Sequence, residues 1–332
     1  MPLCNFSLQK MNQNSPAIED LSSAVDNPPQ WLTNAFNVPR TQGRIDTNGC
    51  EIQYYRWGNP NNPTIVLLHG FLAHSGCWAF IAPYLANDYD VVSYDMSGMG
   101  DSAWREIYGD QVRSEELFRL CEQIGLFENG QKPTLVAHSY GGRVATYAAH
   151  TYKDRFAGLL ICDLMMIRPS ILKANADKFG PPGSRTGSTP NRIYPDYETA
   201  RKRFVLSPPQ DAEVPELVDF MAFHSLKEVE GGWQWKFDPR VFTPITSGPS
   251  NWAEISELVV SAPIRKAIVY GEESLLFTAD SAIYTKELTE ALELDSFPLI
   301  GIPQARHHIM LDQPIALTAT LRSILGAWAA DK

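Results

Sequence analysis

Five short apolar runs constrain this chain more than any other feature: TIVLLHG (64–70), DVVSYD (90–95), PTLVAHS (133–139), AGLLICD (157–163) and RKAIVYG (265–271). They are apolar with little alternation, as strands covered on both faces are, and they point to a buried parallel sheet. EIQYYRWG (51–58) alternates instead, as an edge strand would. Helix-like segments separate the early runs. One of them, SEELFRLCEQIGLF (114–127), opens on a capping-box pattern with Ser114 as cap and Leu117 where Glu would be stronger. Strands alternating with helices predict an open α/β sheet with right-handed crossovers.

The rhythm stops after Asp163, and roughly 95 residues pass before the next buried strand, too many for a structureless loop. That stretch holds Pro/Gly-rich turns (GPPGSRTGSTP), helix-like segments near 196–206 and 214–227, and an aromatic run, GGWQWKFDP. It reads as an inserted subdomain. The expected organisation is an N-terminal arm over 1–40, a core over 41–165 and 256–332, and a cap over 166–255. The arm is rich in Asn, Gln, Ser and Pro and reads as extended, with Trp31, Leu32 and Phe36 placed to pin its end to the body.

A chain of 332 residues can bury a large core without staples. Its 5 cysteines are scattered, with neither a disulfide framework nor a metal-ligand spacing, so reduced thiols, no metal and no cofactor are expected. The first residues lack the basic cluster and apolar stretch of a secretory signal, and no uncharged apolar run approaches the ~18 residues of a membrane span. A cytoplasmic protein is expected. A net charge of −10 disfavours nucleic acid and anionic membrane as partners. The one compact basic cluster, Arg201, Lys202 and Arg203, reads as the solvated face of a helix.

The stretch VAHSYGG (136–142) follows a buried strand and opens a helix-like segment. In that context a small-x-Ser-x-Gly sequence forms a tight elbow that lifts the serine hydroxyl above the sheet. Ala137 and Gly141 are small enough to let helix and strand approach. Ser139 is therefore the candidate nucleophile.

Together with HGF (69–71), DMSGMGDS (95–102) and RHHIMLDQP (306–314), this elbow resembles the α/β-hydrolase family over residues 45–163 and 265–330. The resemblance implies a doubly wound, mostly parallel eight-stranded sheet with a mainly helical cap inserted after the sixth strand. It also implies a base for the serine, which the family places seven residues before a proline; Pro314 selects His307 over His308. His69 is expected to brace the loop after the second buried strand, and His138 to pack beside the elbow. DMSGMGDS lacks the Lys and third Gly of phosphate-binding loops and reads as a structural turn.

The acid that fixes the imidazole tautomer is harder to place. The family's usual position in YGEESLLF holds Ser274, a departure. A minority of members carry the acid at the end of the preceding strand, where this chain has Asp163, and there Ser274 could hydrogen-bond the carboxylate. Strands ~4.8 Å apart keep such a carboxylate within reach of the same ring. Glu272, Glu273 and Asp280 remain alternatives. Oxyanion donors are expected from the backbone N–H groups of Phe71, after the His69-Gly70 pair, and of Tyr140, at a helix N-terminus.

A serine at the elbow argues against the epoxide and haloalkane hydrolases of the family, which use Asp there. The expected activity is hydrolysis of carboxylic esters through an acyl-enzyme, on a small apolar substrate that an aromatic cap would suit. A carbon–carbon bond hydrolase and a non-catalytic ligand receptor on the same scaffold are the alternatives.

Overall fold

A computed structural model describes residues 28–174, 190–242 and 252–330. The sequence runs named above become strands β3 (Thr64–Leu68), β4 (Asp90–Tyr94), β5 (Thr134–His138), β6 (Gly158–Cys162) and β9 (Arg265–Gly271). Three further strands complete the sheet: β1 (Arg40–Asp46), β2 (Glu51–Trp57) and β10 (Leu299–Ile302). The order is β1-β2-β4-β3-β5-β6-β9-β10, with β2 antiparallel to β1 and β4 and every other pair parallel.

Successive side chains of a strand point to opposite faces, and both faces of this sheet are covered. On β3, Leu67 joins one apolar cluster with Trp78, Leu160 and Val269, whereas Val66 and Leu68 join another with Val144, Ile161 and Ile268. Full burial of each such side chain stabilises the fold by about 1.5–3 kcal/mol. Helices α2 (Asp110–Gln123), α3 (Tyr140–Thr151) and α6 (Trp252–Ser261) lie on the second face. The last helix, Pro314–Ala330, buries Leu317, Leu321 and Leu325 on the first.

Three local expectations are corrected. EIQYYRWG is the second strand, not the edge: the edge is β1, whose side chains are half or fully exposed. Helix α2 starts at Asp110, so Ser114 sits inside it, its hydroxyl donating to the Gln111 carbonyl at 2.9 Å rather than capping. The end of the N-terminal arm is not extended: residues 30–36 form helix α1 (Gln30–Phe36), which buries Leu32, Ala35 and Phe36. Residues 1–27 of the arm and the GPPGSRTGST turns lie outside the described residues.

Between β6 and β9 the chain forms α4 (Tyr197–Arg201), α5 (Pro215–His224) and a hairpin of β7 (Leu226–Val229) and β8 (Gly232–Trp235). Most of its aromatic residues are structural: Tyr194 and Tyr197 pack on Trp235 and Trp233, and Phe220 stacks on Phe36 at 5.3 Å. Arg201 of the basic cluster is paired with Asp219. The segment is fastened to loops at the carboxyl edge of the sheet. Asp238 N–H donates to the Gly98 carbonyl at 2.8 Å, Lys236 pairs with Asp101 at 2.7 Å, and Val214 N–H donates to the Leu311 carbonyl at 3.3 Å. It therefore roofs the edge at which open α/β sheets hold their ligands. Among the described residues no helix is long and apolar enough to cross a membrane.

Candidate active site

Ser139 stands between the end of β5 and the start of α3 with φ 51° and ψ −121°. A non-glycine residue with this backbone costs of order 1–3 kcal/mol and persists only where its surroundings hold it. They do so on both sides. Its N–H donates to the Cys162 carbonyl at 3.0 Å, and its carbonyl accepts from Gly142 N–H at 2.8 Å. A Cβ at Gly141 would come 2.6 Å from the His69 carbonyl oxygen, so only glycine lets the helix start this close to β3.

His307 follows β10 and is 2% exposed. Its Nε2 lies 2.9 Å from Ser139 Oγ and its Nδ1 2.7 Å from Asp163 Oδ1. Asp163 is fully buried just past β6, its φ of 52° turning the carboxylate toward the next strand. Its N–H donates to the Val269 carbonyl at 2.8 Å, while its Oδ2 accepts Gly271 N–H at 3.0 Å and its Oδ1 accepts Ser274 Oγ at 2.7 Å. The Ser274 hydroxyl oxygen in turn accepts N–H groups from Leu276 at 3.1 Å and Phe277 at 3.3 Å. The other candidate acids stand elsewhere: Asp280 pairs with Arg168 at 3.0 Å, and Glu272 and Glu273 are exposed. Ser274→Ala removes one donor from a buried carboxylate and is expected to lower kcat about tenfold with little effect on KM. Steady-state kinetics check this; a variant as active as the native protein contradicts it.

The HGF loop lies against the elbow, since a Cβ at Gly70 would stand 3.4 Å from Ser139 Cβ. Among the described residues no hydrogen-bond acceptor is found for the N–H groups of Phe71 and Tyr140. The two side chains meet edge to face at 5.6 Å, and Phe71 meets Phe242 of the inserted segment in the same way at 5.6 Å. His69 braces this loop. Its Nδ1–H donates to the Gly70 carbonyl at 2.7 Å, and its Nε2 accepts Met96 N–H at 3.0 Å, which ties HGF to the DMSGMGDS turn.

Burial pushes the His69 imidazole down to about 3 from an ordinary 6.5. Between those values the unfolded chain takes up a proton that the folded chain refuses. The stability this neutral ring contributes is complete above pH ~6.5 and is lost as pH falls toward ~3, by at most about 1.4 kcal/mol per pH unit. His69→Gln, which cannot titrate, should therefore show a smaller drop in urea midpoint between neutral pH and pH ~5 than the native chain. Equal drops contradict the assignment.

Three features were not legible in the linear motifs. Asp95 is a buried hub that accepts Ser75 N–H at 2.7 Å and Asp101 N–H at 2.8 Å, holding the DMSGMGDS turn against the loop after β3. Phe242 reaches the site from the far end of the insertion, a position no local pattern marks. His138, placed beside the elbow as expected, also touches the histidine loop. His308 lies next to His307, its N–H donating to Gln210 Oε1 at 2.9 Å, whereas the hydrogen bond to Ser139 Oγ is made by His307. Among the described residues no group of three or more His, Cys, Asp or Glu is arranged to hold a metal ion.

The family model for the alpha/beta hydrolase family matches residues 65–321, which include every residue of the cluster described above. The chain belongs to the alpha/beta hydrolase family. It is 28% identical over 120 residues to an uncharacterized hydrolase, YugF, of Bacillus subtilis, covering 36% of this chain and 42% of that protein, so the chain spans less than half of that relative's length. Epoxide hydrolase A of Mycobacterium tuberculosis is 23% identical over 334 residues, covering 86% of this chain and 97% of its own. Among solved structures, an esterase from M. tuberculosis superposes with a TM-score of 0.64 at 21% identity, over 93% of this chain and 95% of that one. At that identity the likeness establishes the shared fold alone. These relatives bear hydrolase, epoxide hydrolase and esterase names.

Proposed function

We propose that the protein is a serine hydrolase that cleaves carboxylic esters through an acyl-enzyme. The observation that carries this reading is the unbroken relay from Ser139 Oγ through His307, 2.9 Å on one side and 2.7 Å to Asp163 on the other. Asp163 accepts the Nδ1 proton of His307, which leaves Nε2 unprotonated and aimed at the serine hydroxyl. As Ser139 Oγ attacks the ester carbonyl, its proton passes to His307 Nε2, and Asp163 stabilises the imidazolium. The negative charge that develops on the carbonyl oxygen is received by the N–H groups of Phe71 and Tyr140, the latter at the N-terminus of α3 where the helix dipole adds to the attraction. Collapse of this intermediate expels the alcohol, which takes the proton from His307, and leaves the acyl group on Ser139. Water, deprotonated by His307, then attacks the acyl carbonyl; the carboxylic acid leaves and Ser139 recovers its proton.

Serine at the elbow supports ester chemistry over the epoxide opening named for one relative. The edge-to-face rings of Phe71, Tyr140 and Phe242 support an apolar acyl or alcohol group, because they form an aromatic cluster that joins the HGF loop and the residue after Ser139 to the inserted segment. A series of aryl esters of increasing acyl length tests the proposal. A burst of phenol equal to the enzyme concentration, followed by turnover, is the expected result. Folded protein that leaves the whole series uncleaved contradicts it.

A further inference from the structure

The histidine preceding the nucleophile engages two other segments of the site. His138 ends β5 and is 2% exposed. Its Nε2 lies 2.9 Å from the main-chain carbonyl oxygen of His307. A carbonyl only accepts, so the ring carries its proton on Nε2. The other edge of the ring faces the oxyanion loop, where a Cβ at Gly70 would come within 2.9 Å of Nδ1. Gly70 thus leaves the room that the imidazole fills. The His138 ring centre is 4.8 Å from that of His307 and 5.5 Å from that of His308.

His307 sits on a loop between β10 and the short helix Ile309–Asp312, and loops hold their residues less firmly than strands do. Its neighbours are fastened through Arg306 N–H to Asp312 Oδ2 at 2.7 Å and His308 N–H to Gln210 Oε1 at 2.9 Å. The carbonyl of His307 itself is held by His138. We propose that His138 is a positioning residue for ester cleavage: its Nε2–H anchors the His307 main chain to the strand that carries Ser139, and its ring sets the spacing between the histidine loop and the oxyanion loop. The proposal rests on the reading of Ser139 and His307 given above. Burial first, and then the neighbouring His307 and His308 rings, hold the His138 imidazole well below the usual histidine range. It therefore remains a neutral donor while His307 gains its proton during the reaction.

Two substitutions test this. His138→Leu keeps an apolar side chain of related size and removes the donor. His138→Gln places an amide N–H the same number of bonds from Cβ as the imidazole Nε2. Because a displacement of about 1 Å in a reacting group can cost ~100-fold, His138→Leu is expected to lower kcat by about 30- to 100-fold with KM within twofold. Labelling of Ser139 by a fluorophosphonate should slow in the same proportion. His138→Gln should recover kcat to within about fivefold of the native enzyme, a rescue that space-filling alone would not produce. Native kcat in the leucine variant, or equal losses in both, overturns the proposal. Should neither variant fold, the native ring decides by ¹⁵N NMR at neutral pH: a neutral Nε2–H tautomer supports it, and an Nδ1–H tautomer or a charged ring overturns it. Failure of the underlying reading looks different, since native protein would then neither cleave esters nor label at Ser139, and the positioning role would fall with it.

Discussion

Ser139→Ala is expected to lower kcat/KM for an aryl ester by about 10^6-fold and to abolish labelling by a fluorophosphonate, with the fold retained. The loss is this large because the serine, the imidazole and the carboxylate act as a unit. Without the hydroxyl there is no acyl-enzyme, and the remaining amide donors and pocket can only assist water. The fold should persist, because the backbone hydrogen bonds that hold the elbow, to Cys162 and from Gly142, involve the main chain of residue 139 and not its hydroxyl. Far-UV circular dichroism and the urea midpoint check that condition. A folded alanine variant that keeps more than about a thousandth of native activity would mean that the nucleophile lies elsewhere, since residual catalysis without one is ~10^3–10^4 over water.

Asp163→Asn should cost about 10^4-fold in kcat, with KM nearly unchanged. The carboxylate at 2.7 Å from His307 Nδ1 requires a proton on that nitrogen. An asparagine can turn its NH2 toward Nδ1 and so favour the opposite tautomer, in which Nε2 carries the proton and cannot take one from Ser139. Asparagine is nearly isosteric and its oxygen can still accept Gly271 N–H, so the effect belongs to the chemistry more than to stability. Asp280→Asn and Glu273→Gln provide the contrast. Asp280 is engaged with Arg168, and Glu273 is exposed, 3.9 Å from Arg306, so both variants should stay within about threefold of native kcat. A loss of several orders of magnitude in either one, with Asp163→Asn active, contradicts the assignment of the acid.

How much of this was legible beforehand depended on the range of the interactions involved. Ser139 is marked locally: a buried strand, a small residue, a serine and two glycines fall within nine positions, 134–142, and the same residues make the turn. His307 was marked only through the resemblance to the α/β-hydrolase family, which places the base seven residues before a proline, here Pro314 at the start of the last helix. Asp163 required a judgement about neighbouring strands, since β6 and β9 are far apart in sequence and only their parallel pairing, Cys162 opposite Val269, brings the carboxylate to the Ser274 loop. Periodicity reports how a strand's faces are covered, not which strand lies beside it. That is why EIQYYRWG, with its partly exposed side chains, read as an edge although β1 continues the sheet beyond it. The polar pattern of β1, RTQGRID, hid that strand altogether. The contact of Phe242 with Phe71 and the hold of His138 on His307 join residues more than 150 positions apart and left no local trace.

The most direct measurement is a crystal structure of the protein after reaction with an alkyl fluorophosphonate. The account predicts phosphorus bonded to Ser139 Oγ, with its oxygen about 3 Å from the amide nitrogens of both Phe71 and Tyr140, and His307 still paired with Asp163. Phosphorus attached to another residue, or an adduct on Ser139 whose oxygen faces away from both amides, would contradict it.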